Sequence, residues 1–231
     1  MSSKPLGNNS VYCGNLKYVI PFPCDELIRS TGPTSLEMYL IGADTQFQLV
    51  SRFLPPNPSV LDIGCGTGRI AHLLTTIHGL RYIGFDVLPG SVQWCKATFD
   101  PLFGDRMRFV HFDGYSKAYN AAGTVKPKDY RFPAENESID LAFAFSVFTH
   151  LLEEDARHYL SETQRCLRQS GLALFSIHNT PTPGSSFSGD EHRIDIAPEY
   201  FVEMASIAGL ELAEDIGDIC GQHTLLLRRK N

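Results

Sequence analysis

The sequence predicts an α/β fold in which a mostly parallel, seven-stranded sheet lies between two layers of helices. Short apolar segments alternate with amphipathic helical segments from residue 59 to residue 177, and this alternation is typical of a parallel sheet. The last two apolar segments follow each other without a helix, which predicts an antiparallel final strand. The chain has 231 residues, enough for one well-covered domain.

The first strand and helix of this alternation meet at a glycine-rich turn. Residues 60–63 have the length and β-branched content of a buried parallel strand. The apolar residues that follow the turn have helical spacing, and Gly79 is the expected end of that helix. Between them, Gly64, Gly66 and Gly68 allow a sharp turn whose N–H groups point at a ligand over the helix N-terminus.

An acidic residue ends the second predicted strand, residues 81–86. Asp86 lies about twenty residues beyond the turn, which is the offset at which a carboxylate reaches a ribose in a nucleotide-binding βαβ unit. A glycine-rich turn on its own is a simple strand-to-helix connection about as often as it is a ligand-binding turn. The turn and the acid together indicate a nucleotide site.

The remaining elements follow from periodicity and from glycine and proline positions. Helices are predicted over residues 89–99, 153–168 and 198–208, and strands over 107–112, 139–145, 172–177, 210–216 and 223–229. Gly171 is expected to end the second of these helices, and residues 217–221 to form the final hairpin loop. The long polar connection 115–138 is interpreted as a mobile flap or a substrate-side loop.

The N-terminal part is expected to belong to the same domain. Residues 1–35 contain several prolines and glycines and predict an irregular lead-in. Residues 35–54 predict one or two helices, broken near Gly42, that close over the turn at Gly64. We therefore divide the chain into a lead-in and helical cap, 1–54, and a core, 55–231.

Composition excludes several classes of function. A net charge of −6 disfavours a general nucleic-acid surface, which requires a basic face. The six cysteines are scattered without C-x-x-C spacing, which disfavours structural zinc. The first ten residues lack the apolar core of a signal peptide, and the longest apolar run, 139–148, is too short to cross a bilayer. We expect a soluble, cytoplasmic protein without a membrane partner.

The turn, Asp62 to Gly68, resembles the D-x-G-x-G-x-G motif of the class I S-adenosylmethionine-dependent methyltransferases. A dinucleotide fingerprint would place glycine where Arg69 stands, which disfavours an NAD-dependent oxidoreductase. The resemblance extends over about residues 59–229. It implies a Rossmann-like three-layer sandwich, with S-adenosylmethionine as cofactor and S-adenosylhomocysteine as product.

The resemblance also implies roles for individual residues. At the methionine end, Asp62 and Gly64 would hold the amino group, and the rest of the turn would receive the carboxylate, namely Cys65, Gly66, Thr67 and Arg69. At the adenosine end, Asp86 would bind the ribose hydroxyls. Val87 and Leu88 would lie against the adenine, and Asp113 with Gly114 would reach its amino group. Phe145 resembles the cofactor-binding position whose main-chain carbonyl follows the fourth strand.

The segment after the fourth strand, residues 146–151, resembles small-molecule members of this class. It lacks the N/D-P-P-Y/F motif of base and glutamine methyltransferases, and no carboxylate follows Phe145 before Glu153 to bind a metal. We therefore expect no metal, no nucleic-acid partner, and a small metabolite or saccharide as methyl acceptor. The sequence leaves the acceptor's identity and the oligomeric state open.

Methyl transfer is an in-line displacement that depends mainly on positioning, although a hydroxyl acceptor benefits from a general base. His150 and His178 each follow a strand at the expected ligand edge and are the candidate catalytic residues. Either histidine could instead be a hydrogen-bonded structural residue. A non-catalytic module that binds S-adenosylmethionine or a nucleotide as a sensor also remains open.

Overall fold

The computed structural model describes residues 8–13 and 16–230. The strands, in chain order, are β1 Asn8–Cys13, β2 Leu16–Pro21, β3 Ser59–Ile63, β4 Arg81–Asp86, β5 Met107–His111, β6 Ile139–Ala144, β7 Leu167–Ile177, β8 Phe187–Asp190, β9 Arg193–Ile196, β10 Leu210–Ile219 and β11 Gln222–Arg229. The α-helices are α1 Asp25–Ser30, α2 Leu36–Ser51, α3 Arg69–Leu74, α4 Pro89–Phe103, α5 Glu153–Cys166 and α6 Pro198–Ile207.

The predicted sheet is confirmed. Seven strands pair in the order β10-β11-β7-β6-β3-β4-β5. The pairs from β7 to β5 are parallel, and β11 is antiparallel to both β7 and β10. Cys220 and Gly221 make the β10–β11 turn with φ of 55° and 78°, the left-handed conformation that tight hairpins require. The turn is therefore shorter than the predicted loop, residues 217–221, because β10 continues to Ile219 and β11 begins at Gln222.

Helices cover both faces of the sheet and give the predicted three layers. On one face, α5 and α6 enclose an aromatic cluster that includes Phe85, Phe148 and Phe201. On the other face, α2, α3 and α4 pack around Tyr82 and Phe99. Strands β3 and β6 are buried on both sides, which explains their continuously apolar sequences.

Several predicted helix boundaries are wrong, and α4, predicted to end at residue 99, runs to Phe103. Helix α3 ends at Leu74, because the hydroxyls of Thr75 and Thr76 donate to carbonyls of its last turn, and Gly79 forms a later turn with φ of 68°. Helix α2 runs unbroken through Gly42. Gly171 lies inside β7 rather than at the end of α5, at the register irregularity between β6 and β7.

The N-terminal region is more ordered than the predicted irregular lead-in. Strands β1 and β2 form an antiparallel hairpin, and α1 follows it. The lead-in prediction for residues 1–7 and 14–15 lies outside the described residues. Over the described ranges, no helix combines the length and the apolar character needed to cross a bilayer.

Candidate functional site

A cleft opens at the carboxyl ends of β3, β4 and β6, the edge at which open α/β sheets bind ligands. Its empty volume, including the open mouth, is about 1030 Å³. Its walls are the turn after β3, the ends of β4 and β6, the 115–138 loop, the start of α5 and the β8–β9 turn. The N-terminal part contributes Thr31, which follows α1.

The glycine-rich turn needs its glycines for two reasons. Gly64, Gly66 and Gly68 have φ of 74°, 52° and 69°, a region that other residues rarely adopt. A Cβ atom on Gly64 would also lie 2.4 Å from Cγ2 of Val147, which covers the turn. The turn is fixed to β4, since the N–H of Gly64 donates to the carbonyl of Phe85 at 2.9 Å.

Asp86 joins the turn to the end of β4. One carboxylate oxygen accepts the N–H of Gly66 at 2.7 Å, and the other accepts the N–H of Leu88 at 2.8 Å. Burial raises the pKa of Asp86, although these hydrogen bonds favour its ionised form. Asp86, Val87 and Leu88 all line the cleft, so the predicted ribose and adenine residues at this strand end lie together.

Asp62 and Arg69 meet at the opposite end, where both line a smaller adjoining pocket. Oδ2 of Asp62 accepts the hydroxyl of Tyr82 at 2.7 Å, and burial raises the pKa of Asp62 to about 7. Burial also lowers the pKa of Arg69. Among the described residues, Arg69 takes part in no ion pair. Its guanidinium is therefore available to an anion.

Helix α2 packs against the glycine-rich turn and Arg69 at this end of the cleft. The Thr67 hydroxyl donates to the Tyr39 hydroxyl at 3.2 Å. A Cβ atom on Gly42 would lie 3.3 Å from Nη1 of Arg69, so this glycine leaves room for the guanidinium. The glycine that predicted a helix break instead serves close packing inside a continuous helix.

His150 lies in a short 3₁₀ turn after β6 and lines the cleft. Its Nδ1 is 3.1 Å from the carbonyl oxygen of Glu191, and its Nε2 is 3.2 Å from the hydroxyl of Tyr119. Burial lowers the pKa of His150, so the imidazole is neutral at neutral pH. Phe145, Cys65 and Thr67 also line the cleft, as the motif implied.

Asp113 and Gly114 are not brought into the cleft. The Asp113 side chain is exposed and accepts the Thr124 hydroxyl at 2.6 Å, while its carbonyl accepts the N–H groups of Thr124 and Val125. Gly114 pairs with Val125 and accepts the side-chain amide of Asn120. These two residues anchor the base of the 115–138 loop, and residues of that loop line the cleft.

His178 is also placed outside the cleft. It follows β7, and its carbonyl accepts the N–H of Ile196 at 2.8 Å, so β9 pairs alongside it. Burial and the charge of Arg193 lower its pKa. Of the two candidate histidines, only His150 faces the cleft.

Several cleft residues were missed by sequence reasoning. They come from the 115–138 loop, from α5 and from the β8–β9 turn, and they are Tyr119, Asp155, Tyr159 and Glu191. The unusual length and tyrosine content of the loop were the signal for Tyr119. The others are brought in only by tertiary packing. The described residues contain no group of three His, Cys, Asp or Glu side chains arranged to hold a metal ion.

The fold and the cleft together define a class I methyltransferase. A family model described as a methyltransferase domain matches residues 41–212, and the chain belongs to that family.

Sequence relatives and a solved structure agree with this assignment. An O-methyltransferase from Pyrenophora dematioidea is 27% identical over 123 residues, which cover 52% of this chain and 40% of that protein. A malonyl-[acyl-carrier protein] O-methyltransferase from Hahella chejuensis is 27% identical over 124 residues, covering 53% and 37%. The chain therefore aligns with about two fifths of the length of these curated relatives. The structure of a TehB-like S-adenosylmethionine-dependent methyltransferase from Corynebacterium glutamicum has a TM-score of 0.58 at 20% identity, covering 80% of this chain and 88% of that one.

S-adenosylmethionine is the cofactor that this family implies, and the residues present fit it. A buried carboxylate at the end of β4 suits a ribose diol, because two hydroxyls need acceptors. A carboxylate and a guanidinium without an ion-pair partner suit the ammonium and carboxylate of a methionine group. When bound, the cofactor supplies a methyl group on a sulfonium centre.

Proposed function

We propose that this protein transfers a methyl group from S-adenosylmethionine to an oxygen or nitrogen of a small metabolite or saccharide. The observation that carries the proposal is the extent of the cleft. Besides Asp86 and the glycine-rich turn, the same cleft is lined by Tyr119, His150 and Tyr159, which the proposed cofactor roles do not use. A module that only bound the cofactor would not need these hydroxyl and imidazole groups in its cleft.

In the donor half, the proposed roles follow the charges. Asp86 holds the ribose, with Val87 and Leu88 against the adenine. Asp62 binds the ammonium and Arg69 the carboxylate of the methionine group, which places opposite charges together in a buried pocket.

In the acceptor half, His150 is the proposed general base. Its neutral imidazole lies among groups that accept or share protons rather than among cations. Of the described residues lining the cleft, only Arg69 carries a guanidinium or ammonium, and it belongs to the donor half. A hydroxyl or amine acceptor therefore fits the part of the cleft around His150 better than a carboxylate does. The names of the O-methyltransferase relatives support an oxygen acceptor.

The test is an acceptor-library screen in which S-adenosylhomocysteine production is measured. We expect hydroxyl- or amine-bearing small molecules to be methylated. His150→Gln should lower kcat about 100-fold, the contribution of a general base, without weakening cofactor binding. His178→Gln is the matched histidine variant outside the cleft and should retain turnover. Loss of activity in His178→Gln alone would transfer the base role to that residue.

The alternative is a sensor that binds the cofactor without transferring its methyl group. A parent protein that binds S-adenosylhomocysteine tightly, yet methylates no acceptor in the screen, would favour this alternative. Thermal protection by S-adenosylhomocysteine but not by NAD would separate both readings from an oxidoreductase.

We further propose that residues 1–54 act as a cap on the same domain as the core, 55–231. The contacts of Tyr39 with Thr67 and of Gly42 with Arg69 support this. We also propose a cytoplasmic location. The free, buried thiols of Cys65, Cys95 and Cys166 support a reducing compartment.

A further inference from the structure

Tyr119 lies beside the candidate base. Its hydroxyl is 3.2 Å from Nε2 of His150, and its ring meets the imidazole edge-on, with centroids 5.1 Å apart and planes at 90°. Burial, together with the negative charge of nearby Asp86, raises the pKa of the Tyr119 phenol. Tyr119 is therefore near both the proposed donor site and His150.

The hydrogen bonds of His150 fix which nitrogen carries the proton. The carbonyl oxygen of Glu191 can only accept, so Nδ1, 3.1 Å away, carries the hydrogen. Nε2 of the neutral ring then has the single lone pair, and the Tyr119 hydroxyl donates to it. Both ring nitrogens are therefore hydrogen-bonded, and an acceptor hydroxyl could bond Nε2 directly only by displacing the Tyr119 hydroxyl.

The loop holds Tyr119 in this position through a closed turn. Ser116 and Asn120 exchange two backbone hydrogen bonds, at 3.0 and 2.8 Å, on either side of Tyr119. The Asn120 side-chain amide donates to the carbonyl of Gly114 at 3.1 Å and ties the turn to the base of the loop. A phenol held in this way is preorganised to donate to Nε2 while accepting from a substrate.

We propose that Tyr119 is a catalytic residue that relays the acceptor's proton to Nε2 of His150. The relay rests on the proposed methyl transfer. While the acceptor oxygen bonds to the methyl carbon and the carbon–sulfur electron pair goes to sulfur, the acceptor proton passes to the Tyr119 oxygen. The Tyr119 proton passes to Nε2, and His150 becomes an imidazolium that later releases this proton to water.

The first test needs no acceptor. Nitrogen NMR of ¹⁵N-histidine-labelled protein, bound to S-adenosylhomocysteine, reports the state of each ring nitrogen, and His150→Gln assigns the signals. We expect His150 to be protonated at Nδ1 and unprotonated at Nε2. Tyr119→Phe should shift the Nε2 signal and leave Nδ1 almost unchanged. A protonated Nε2 in the neutral ring, or an Nε2 signal that does not move in Tyr119→Phe, would overturn the relay.

The second test uses a hydroxyl acceptor found in the library screen. Tyr119→Phe keeps the ring but removes the relay, so kcat should fall about 100-fold while the Kd for S-adenosylhomocysteine is unchanged. Tyr200→Phe is the matched control, since its hydroxyl bonds Glu153 and Arg157 outside the cleft. Full turnover in Tyr119→Phe would overturn the relay alone. Absence of turnover in the parent, with S-adenosylhomocysteine bound, would overturn the proposed function and the relay with it.

Discussion

Arg69 provides the sharpest test of the proposed cofactor site. Removal of its charge should weaken ligand binding without lowering the stability of the free protein. The guanidinium is mostly buried and, among the described residues, has no ion-pair partner. Burying a cation without a partner costs stability. Arg69→Met keeps a flexible unbranched stem, which is shorter than that of arginine, and removes the charge, so the free protein should be as stable as the parent or more stable.

The same substitution should weaken S-adenosylhomocysteine binding by a calculable amount. A hydrogen bond between charged groups contributes about 1.5–3 kcal/mol. Loss of the contact between Arg69 and the ligand carboxylate therefore predicts a Kd that rises about 10- to 100-fold. Adenosine lacks this carboxylate, so its Kd should not change.

The assay is isothermal titration calorimetry of both ligands against the parent and Arg69→Met, with urea denaturation of the free proteins as the stability measurement. An equal loss of affinity for the two ligands would show that the substitution disturbs the whole cleft. An unchanged Kd for S-adenosylhomocysteine would refute the assignment of Arg69 to the carboxylate. A large loss of stability in the free protein would refute the view that its charge is uncompensated.

Two further substitutions probe the other charged groups. Asp86→Asn leaves the N–H group of Gly66 or of Leu88 without its acceptor, so it should lower the free energy of unfolding by about 1–3 kcal/mol. Unlike Arg69→Met, it should weaken the binding of adenosine and of S-adenosylhomocysteine equally. Unchanged adenosine binding would contradict the ribose role. The raised pKa of Asp62, about 7 in the folded protein, means that the folded state binds its proton more readily than the unfolded chain does. Stability should therefore fall as pH rises from about 4 to about 7. Over the upper part of that range, S-adenosylhomocysteine should bind more tightly, because the ionised carboxylate attracts its ammonium. Asp62→Asn should flatten both pH profiles, and a variant that kept either profile would assign the titration to another group.

Local patterns predicted the framework of the sheet accurately. The second strand has the predicted bounds, residues 81–86, and Asp86 ends it at the ligand edge. These features depend on short-range rules, namely the apolar character of buried strands and the need for glycine at positive φ. Boundaries failed where a side chain or a distant strand competed with those rules. The hydroxyls of Thr75 and Thr76 bond carbonyls at the end of α3, and the pair between Leu167 and Ile139 of β6 starts β7 at residue 167.

Some residues of the candidate site could likewise be placed from local sequence patterns, and others could not. Asp62, Asp86 and Arg69 could be predicted from fixed offsets along the chain, and they line the cleft or its adjoining pocket. Asp113 matched its motif position, yet hydrogen bonds across its own loop turn the side chain toward Thr124.

The sequence by itself determined the glycine-rich turn, the acid at ribose distance and the antiparallel final strand, because each depends on residues that are close in the chain. The tertiary structure alone decided which of two histidines faces the cleft and which groups surround it. Tyr119 and Glu191 lie 31 and 41 residues from His150 in the chain, and loop closure and the β8–β9 turn bring both to the imidazole. No local pattern encodes such contacts, since they depend on how separate elements pack over the sheet edge.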